Sequence, residues 1–424
     1  MALVIQEVAR LFFVSAIQAL LLVLVGAPSA YLCLLSILAL TQREKKEFPV
    51  KRLRKIAVVV PAHNEALVIE TTLRKLSMIE YPRDLYEIMV IADNCTDNTL
   101  EIARRSGAKT FRRDNPGQRG KGHALRWCFD QIVTIPPSHD AVVVIDADST
   151  VSKNFLSVMN FYLEQGNHAI QSSDLPEVAG DGWIAGMTGL SFLLYNYVRP
   201  SGRTALGCSA GLKGNGMCLS TEALASSPWS SFSLAEDVEQ GLELLLHDIP
   251  VRFAPEAKVF ASMPQLSENA ESQRVRWEMG RIPLIRKYGL RLLGAAFNRR
   301  SFRLFDAFVE LVTPSFVYMM AVAVSMIFAN TLFFLLGNSE SSIYLGLWIA
   351  VLGLGFLHVT VGILAAHSDF VTLRSVLHVP KYLLWKLGLF LSARGTDRTK
   401  EWIRTTRESE VEVGSKDGSM DGGS

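Results

Sequence analysis

The sequence carries almost no net charge: 43 Lys and Arg stand against 41 Asp and Glu, leaving +2 over 424 residues. The total therefore suggests no polyanion-binding protein and no nucleic-acid partner, and the distribution of charge matters more. Cysteine is scarce. Cys33, Cys95, Cys128, Cys208 and Cys218 lie scattered, with no CxxC and no His/Cys spacing suited to zinc. That argues against a disulfide framework and fits a reduced compartment. No internal repeat is visible. A P-loop is missing too: the nearest stretch, "NPGQRGKGHAL", has Asn115 where the pattern needs Gly and Gly122 where it needs Ser or Thr.

Long apolar runs, by contrast, are present. From Leu11 to Leu40 nearly every residue is apolar or small, and roughly twenty such residues span a bilayer. A signal peptide would have a shorter apolar core and a basic start. Here the basic cluster Arg43, Lys45, Lys46, Lys51, Arg52, Arg54 and Lys55 follows the run. The positive-inside rule then puts the N-terminus outside and the chain from Gln42 onward in the cytoplasm. Two further crossings are expected, Phe308–Leu336 and Ile343–Ala366, joined by a short polar turn. Three crossings place the basic C-terminal region on the same side as the middle of the chain. Segments rich in both Leu and basic residues, Ile282–Phe297 and Pro380–Leu391, suit helices lying at the headgroups. The expected organisation is a membrane helix in 1–41, a cytoplasmic domain in 42–281 and an interfacial segment in 282–304. Two membrane helices follow in 305–366, an interfacial helix with a basic tail in 367–410, and a disordered tail in 411–424.

The middle domain alternates strand and helix. "IAVVVP", "EIMVIAD", "AKTFRR" and "AVVVIDAD" read as strands, with helical spacing over Glu65–Met78, Asp97–Arg105 and Gly122–Val133. That alternation predicts an α/β fold, a parallel sheet with helices on both faces. Ligands of such sheets sit at the carboxyl ends of the strands, where this chain puts Pro61-Ala62-His63-Asn64-Glu65, Asp93 and Asp146-Ala147-Asp148. Converging carboxylates are unfavourable unless a cation or donors offset them. Two acids with one spacer can serve a divalent ion, and Mg²⁺ prefers a few carboxylates plus diphosphate oxygens. The plainer alternative makes Asp148 or Ser149 the cap of a following helix.

Three other stretches carry chemistry. Lys121, in a glycine loop that leads into a helix, is available to a phosphate or to Asp93, or else belongs to a solvated basic turn. "AEDVEQGLELLLH" opens a helix with Glu236-Asp237, where the helix dipole favours acids. "SQRVRWEMGR" puts Gln273, Arg276 and Trp277 on one helix face. A pocket that stacks on a sugar ring and clamps a phosphate needs that trio, whereas core or membrane-belt packing would need only the indole.

In order along the chain, "PAHNE", "ADNCTD", "GKGHAL", "DAD", "GNGMCLS", "AED" and "QRVRW" resemble the membrane-bound family 2 glycosyltransferases, the group of cellulose, chitin, hyaluronan and poly-N-acetylglucosamine synthases. The resemblance covers Lys55 to Lys287 and implies a GT-A-type, Rossmann-like nucleotide-diphosphosugar domain. It implies that Pro61, Ala62, Asn64 and Glu65 border the uridine, with Asp93 and Lys121 beside the nucleotide. Asp146 would help hold the nucleotide and Asp148 the metal, Mg²⁺ or Mn²⁺. Gly214, Asn215 and Gly216 would lie near the acceptor, and Glu236 beside the substrates. Asp237 would be the catalytic base, with Gln273, Arg276 and Trp277 on diphosphate and acceptor. Two departures are notable: Ala235 stands where the base motif often has Thr, and three crossings are fewer than the polymer-secreting members carry. The implied reaction is inverting transfer from a UDP-sugar (UDP-GlcNAc or UDP-glucose) to a polysaccharide or lipid-linked acceptor at the inner membrane, alone or with partner subunits. Hexose against N-acetylhexosamine would be set by loops such as Gln171–Glu177. Rival expectations are a nucleotidyltransferase and a non-catalytic sugar-nucleotide-binding component of a membrane assembly.

Overall fold

The computed structural model describes residues 2–134, 139–177, 183–262 and 268–366. The expected segment Pro380–Leu391 and the tail from Val411 lie outside them. A first helix, α1 (Ala2–Ala39), is followed by β1 (Ile56–Ala62), α2 (Ile69–Leu76), β2 (Tyr86–Asp93), α3 (Thr99–Arg105), β3 (Lys109–Arg113) and α4 (Lys121–Thr134). Next come β4 (Ala141–Val144), β5 (Ser149–Val151), α5 (Phe155–Glu164), β6 (Ala169–Glu177) and α6 (Trp183–Phe192). A π-helical stretch, Leu193–Val198, joins α6 to α7 (Arg199–Ala205). The domain closes with β7 (Met217–Ser220), α8 (Thr221–Ser226), α9 (Glu236–Leu246) and β8 (Val251–Ser262). Four helices end the described chain: α10 (Glu268–Asn298), α11 (Phe302–Val312), α12 (Phe316–Leu335) and α13 (Ser341–Ala366).

The strands form one sheet in the order β3-β2-β1-β4-β7-β6-β8-β5. β1 is parallel to β2 and β4, and β2 to β3, as expected. The all-parallel expectation fails beyond β4, because β7 runs antiparallel to both β4 and β6. The chain enters β7 at the carboxyl end of β4, pairing Met217 with Val144 and ending with Ser220 opposite Ala141. That reversal holds the preceding loop at the edge where ligands of such sheets bind. Successive residues of the apolar strands serve opposite faces. Val58, Val60, Ile88 and Val90 pack with Leu73, Phe155 and Phe161, while Ala57, Val59, Met89 and Ile91 pack with Leu125, Phe129 and Leu194. Both faces are covered, which is why the strands read as continuous apolar runs.

Among the described residues, three helices are long and apolar enough to cross a membrane: Phe13–Ala39, Phe316–Leu335 and Ser341–Ala366. The expected crossing Phe308–Leu336 is divided, since α11 ends at Val312 and α12 starts at Phe316. Pro314 lies in the break, where it has no N–H to continue the helix. Gln18, Asn330 and Trp348 hydrogen-bond to one another between α1, α12 and α13, satisfying polar groups that an apolar setting would otherwise penalise. The helices also grip the domain. Gly202 of α7 lies against the backbone of Leu35, so closely that a side chain there would collide with it.

Candidate active site

The edge beyond the carboxyl ends of β1, β2 and β4 is tied together by short polar links. Asn64 and Asn94 take the left-handed conformation, with φ of 57° and 49°, which Asn tolerates better than most residues. Asn64 Oδ1 accepts the Thr96 N–H at 2.8 Å, the Glu65 N–H donates to Thr99 Oγ1 at 2.8 Å, and His63 Nδ1 meets the Asp93 carbonyl at 2.7 Å. Pro61 and Ala62 are buried beneath this turn, with Asn64 and Glu65 half-buried.

Asp93 is wholly buried. Its cation is Arg113, whose Nη1 lies 2.5 Å from Oδ1, so the expected alternative of Lys121 beside Asp93 is corrected. The reason is register: β3 pairs in parallel with β2 and sets Arg113 opposite Asp93. The second oxygen, Oδ2, is buried with no hydrogen-bond partner among the described residues.

Lys121, at the start of α4, instead donates to Asp146 Oδ1 and to the Gly214 carbonyl. Burial works against its charge, but Asp146, Glu236 and Asp237 together raise its pKa. Asp146 and Asp148 sit on a turn closed by the Ser149 N–H on the Asp146 carbonyl at 3.1 Å. A strand, β5, follows rather than a helix, and the N-cap position of the next helix, α5, is Asn154, so the helix-cap alternative is corrected. Its Oδ1 accepts the Ser149 hydroxyl at 3.3 Å.

The loop Gly214-Asn215-Gly216 closes the far side. Asn215 accepts the Asp146 N–H at 3.1 Å and donates to Ser149 Oγ at 2.9 Å, while its carbonyl accepts from Gln171 at 2.7 Å. Gly214 and Gly216 have φ of 83° and 68°, where a Cβ is strained. A Cβ on Gly216 would also collide with Ser172 Oγ, and one on Gly214 would stand 3.0 Å from Asp237 Oδ2. Asp237 and Glu236, both half-buried, begin α9. Burial, then the proximity of Asp237, pushes Glu236 up to about 7; burial likewise raises Asp237.

One acid escaped the sequence reading. Asp174 on β6 is buried, and its Oδ1 has no partner among the described residues. Burial first, then Asp146, Asp148 and Asp237, push its pKa well above the carboxylate range against the pull of Lys121. The only signal was an acid within the run "AIQSSDLPE". The segment Gln171–Glu177, expected as a loop, is part of β6 and pairs with β8.

Gln273, Arg276 and Trp277 fall on α10, with side chains outside the described residues. The helix itself reaches the site: a Cβ at Gly280, one turn beyond Trp277, would meet the Ala235 side chain at 3.4 Å. Further along, Lys287 and Arg291 pair with Glu239 and Glu243 of α9 at 2.5 and 2.8 Å. The helix that begins with the acidic pair is therefore clipped to α10.

Residues 54–280 match the family model described as "Glycosyltransferase like family 2". Among curated relatives, the probable glycosyltransferase YdaM of Bacillus subtilis (strain 168) is 26% identical over 310 residues, covering 70% of this chain and 71% of that protein. The beta-monoglucosyldiacylglycerol synthase of Nostoc sp. is 29% identical over 211 residues, 47% of this chain and 43% of that protein. The poly-beta-1,6-N-acetyl-D-glucosamine synthase of Staphylococcus aureus (strain COL) is 25% identical over 244 residues, 56% and 57%. The chain thus spans less than two thirds of the length of these last two. Among solved structures, the mannosyltransferase PcManGT from Pyrobaculum calidifontis, in complex with GDP-Man and Mn²⁺, is 17% identical with a TM-score of 0.49, covering 89% of this chain and 99% of that one.

Proposed function

The chain belongs to the glycosyltransferase-like family 2, and from that premise we propose inverting transfer of a hexosyl or N-acetylhexosaminyl unit from a UDP-sugar to an acceptor presented at a membrane. Its α/β domain is of the GT-A type. The observation that carries the proposal is the meeting of Asp146, Asp148, Lys121, Asp237 and the Gly214–Gly216 loop at one edge of the sheet. The relatives named for glucosyl-lipid and N-acetylglucosamine-polymer synthesis favour these two sugar classes.

The residues divide the work by charge. Asp93 Oδ2, a buried acceptor without a partner among the described residues, suits a ring N–H of the base, with Pro61, Ala62, Asn64 and Glu65 around it. Lys121 and Asp146 border the diphosphate. Asp237 takes the proton of the acceptor hydroxyl as its oxygen attacks the anomeric carbon opposite the departing UDP. Arg276 and Gln273 stabilise the charge gathering on the diphosphate, and Trp277 stacks on the acceptor.

The donor set fits a divalent cation. Asp146, Asp148, Asp174, Glu236 and Asp237 share the edge, and burial first, with neighbouring carboxylates second at Asp174 and Glu236, raises the pKa of three of them. Among the described residues no three His, Cys, Asp or Glu side chains form a cage, which suits Mg²⁺ or Mn²⁺ completed by diphosphate oxygens and water. Held by Asp148, such an ion would supply neutralising charge to the leaving diphosphate.

Basic residues after α1 favour a cytoplasmic catalytic domain and an external N-terminus. The test is to incubate the purified chain in nanodiscs with a panel of UDP-sugars and Mg²⁺ or Mn²⁺, following UDP release and product mass. UDP release with a glycosylated product is the expected result. Pyrophosphate release would indicate nucleotidyl transfer, and tight nucleotide binding without turnover a binding subunit.

A further inference from the structure

A polar cavity lies between α9, which begins at Asp237's end of the site, and α11. Tyr195, Arg203, Lys213, Arg281 and Glu310 line one part of it, and Leu212, Leu242, Leu245 and Leu311 line another. Its floor is an ion network. Arg203 Nε pairs with Asp306 at 2.8 Å, and Arg199 with Glu310 at 3.4 Å. Arg281 donates to the carbonyls of Glu310 and Leu311 rather than to a carboxylate. The Lys213 ammonium stands 3.5 Å over the Tyr195 ring, and Tyr195 is carried by the π-helical stretch. Such irregular turns recur at functional sites.

Among the described residues, Arg199 and Arg203 each have a carboxylate, Glu310 and Asp306, whereas Lys213 and Arg281, half-buried in the lining, pair with none. A cation that lines a cavity without a carboxylate partner is free to make charge-assisted hydrogen bonds to an anion, so the cavity suits one. Its apolar wall suits a chain attached to that anion. Position suggests the source: Tyr31 of α1 donates to Asp306 at 2.8 Å, and α11, which supplies Asp306 and Glu310, runs into the membrane helix α12. The opposite wall includes Val238 and Gly241, within about one turn of Asp237.

We propose that this cavity holds the phosphoryl group of a membrane phospholipid whose head bears a free hydroxyl, and that this hydroxyl is the acceptor. The inference rests on the transferase function proposed above. The hydroxyl oxygen bonds to the anomeric carbon, the bond from that carbon to the diphosphate breaks, the proton passes to Asp237, and UDP leaves.

Binding and transfer are tested separately. In native mass spectrometry of the full chain without nucleotide, phosphatidylglycerol and phosphatidic acid bind at least about tenfold more tightly than diacylglycerol, the scale of a charge-assisted contact. Lys213→Gln loses that preference and Lys213→Arg keeps it. With the active UDP-sugar added, phosphatidylglycerol gains a sugar and phosphatidic acid does not. Equal binding of diacylglycerol, an unchanged preference in Lys213→Gln, or transfer to diacylglycerol in place of phosphatidylglycerol overturns the proposal. So does competition by inorganic phosphate as strong as by the lipids, which would mark a free-phosphate site. If Lys213→Gln does not fold, the comparison of lipids on the unmodified chain decides. Absence of transfer to any lipid, with the binding preference intact, tells against the transferase function and leaves the subsite standing.

Discussion

Two clusters of buried charge flank the Lys213-Gly214 step, and they are unbalanced in opposite senses. On the sheet side, Asp146, Asp148, Asp174, Glu236 and Asp237 gather around Lys121. On the α11 side, among the described residues, Arg199 and Arg203 have carboxylate partners and the half-buried Lys213 and Arg281 have none. Their neighbour Asp93–Arg113 is balanced, one charge on one. The contrast separates charge that completes a fold from charge held for something else. On the function and the subsite proposed above, each cluster would take a ligand of opposite sign, a cation-bearing nucleotide in one case and an anionic lipid in the other.

That contrast is most exposed to failure at Asp237. Asp237→Asn should lower turnover by roughly two to four orders of magnitude while calorimetric titration with UDP-sugar stays near normal; ordinary turnover would remove Asp237 as the base. Next comes the balanced pair. Arg113→Met leaves a buried carboxylate and should destabilise the domain by about 3–5 kcal/mol, read as a lower melting temperature in detergent. A negligible shift would mean that Asp93 is not held as an ion.

Asp174 should behave in the opposite way. Its pKa is raised on folding, so both states are protonated well below the ordinary carboxylate range and the residue is then neutral to stability. As pH rises above that range the unfolded state ionises more readily, and the group becomes destabilising. Asp174→Asn should therefore melt higher at pH 7, by about 2–4 °C, and no differently near pH 3. Equal melting at both pH values would show that the acid edge carries no excess charge.

The smallest effect concerns the coupled pair. Glu236 is pushed up to about 7 by burial and by Asp237, so the acidic limb of kcat/KM belongs to both groups together. Glu236→Gln removes a negative neighbour, makes Asp237 easier to ionise, and should move that limb to lower pH by about one unit or less. A limb that moves up instead would reverse the assignment of base and neighbour.

Much of the site was legible because acids at strand ends and helix starts interrupt apolar runs. Asp93, Asp146, Asp148 and Asp237 all stand out in this way, and the matching order of motifs points to their family. What stayed hidden depends on pairing across distance. Arg113 lies in a five-residue edge strand, and only the β2–β3 register sets it on Asp93. Asp174 follows two serines in an alternating strand whose inward face cannot be told without its neighbours. Arg199 and Arg203 meet Glu310 and Asp306 over a hundred residues away. The crossing drawn from Phe308 ran through Pro314 because hydropathy alone does not register a missing N–H.

The contact of Gly202 with the Leu35 backbone has its own consequence. With α7 pressed backbone to backbone on α1, the catalytic domain proposed above would be held at a set height if α1 crosses a bilayer, as in a tool mounted directly on its bench. Acceptors would then be selected partly by how far their reactive group stands above the lipid surface, a ruler that substitutions at this crossing would lengthen.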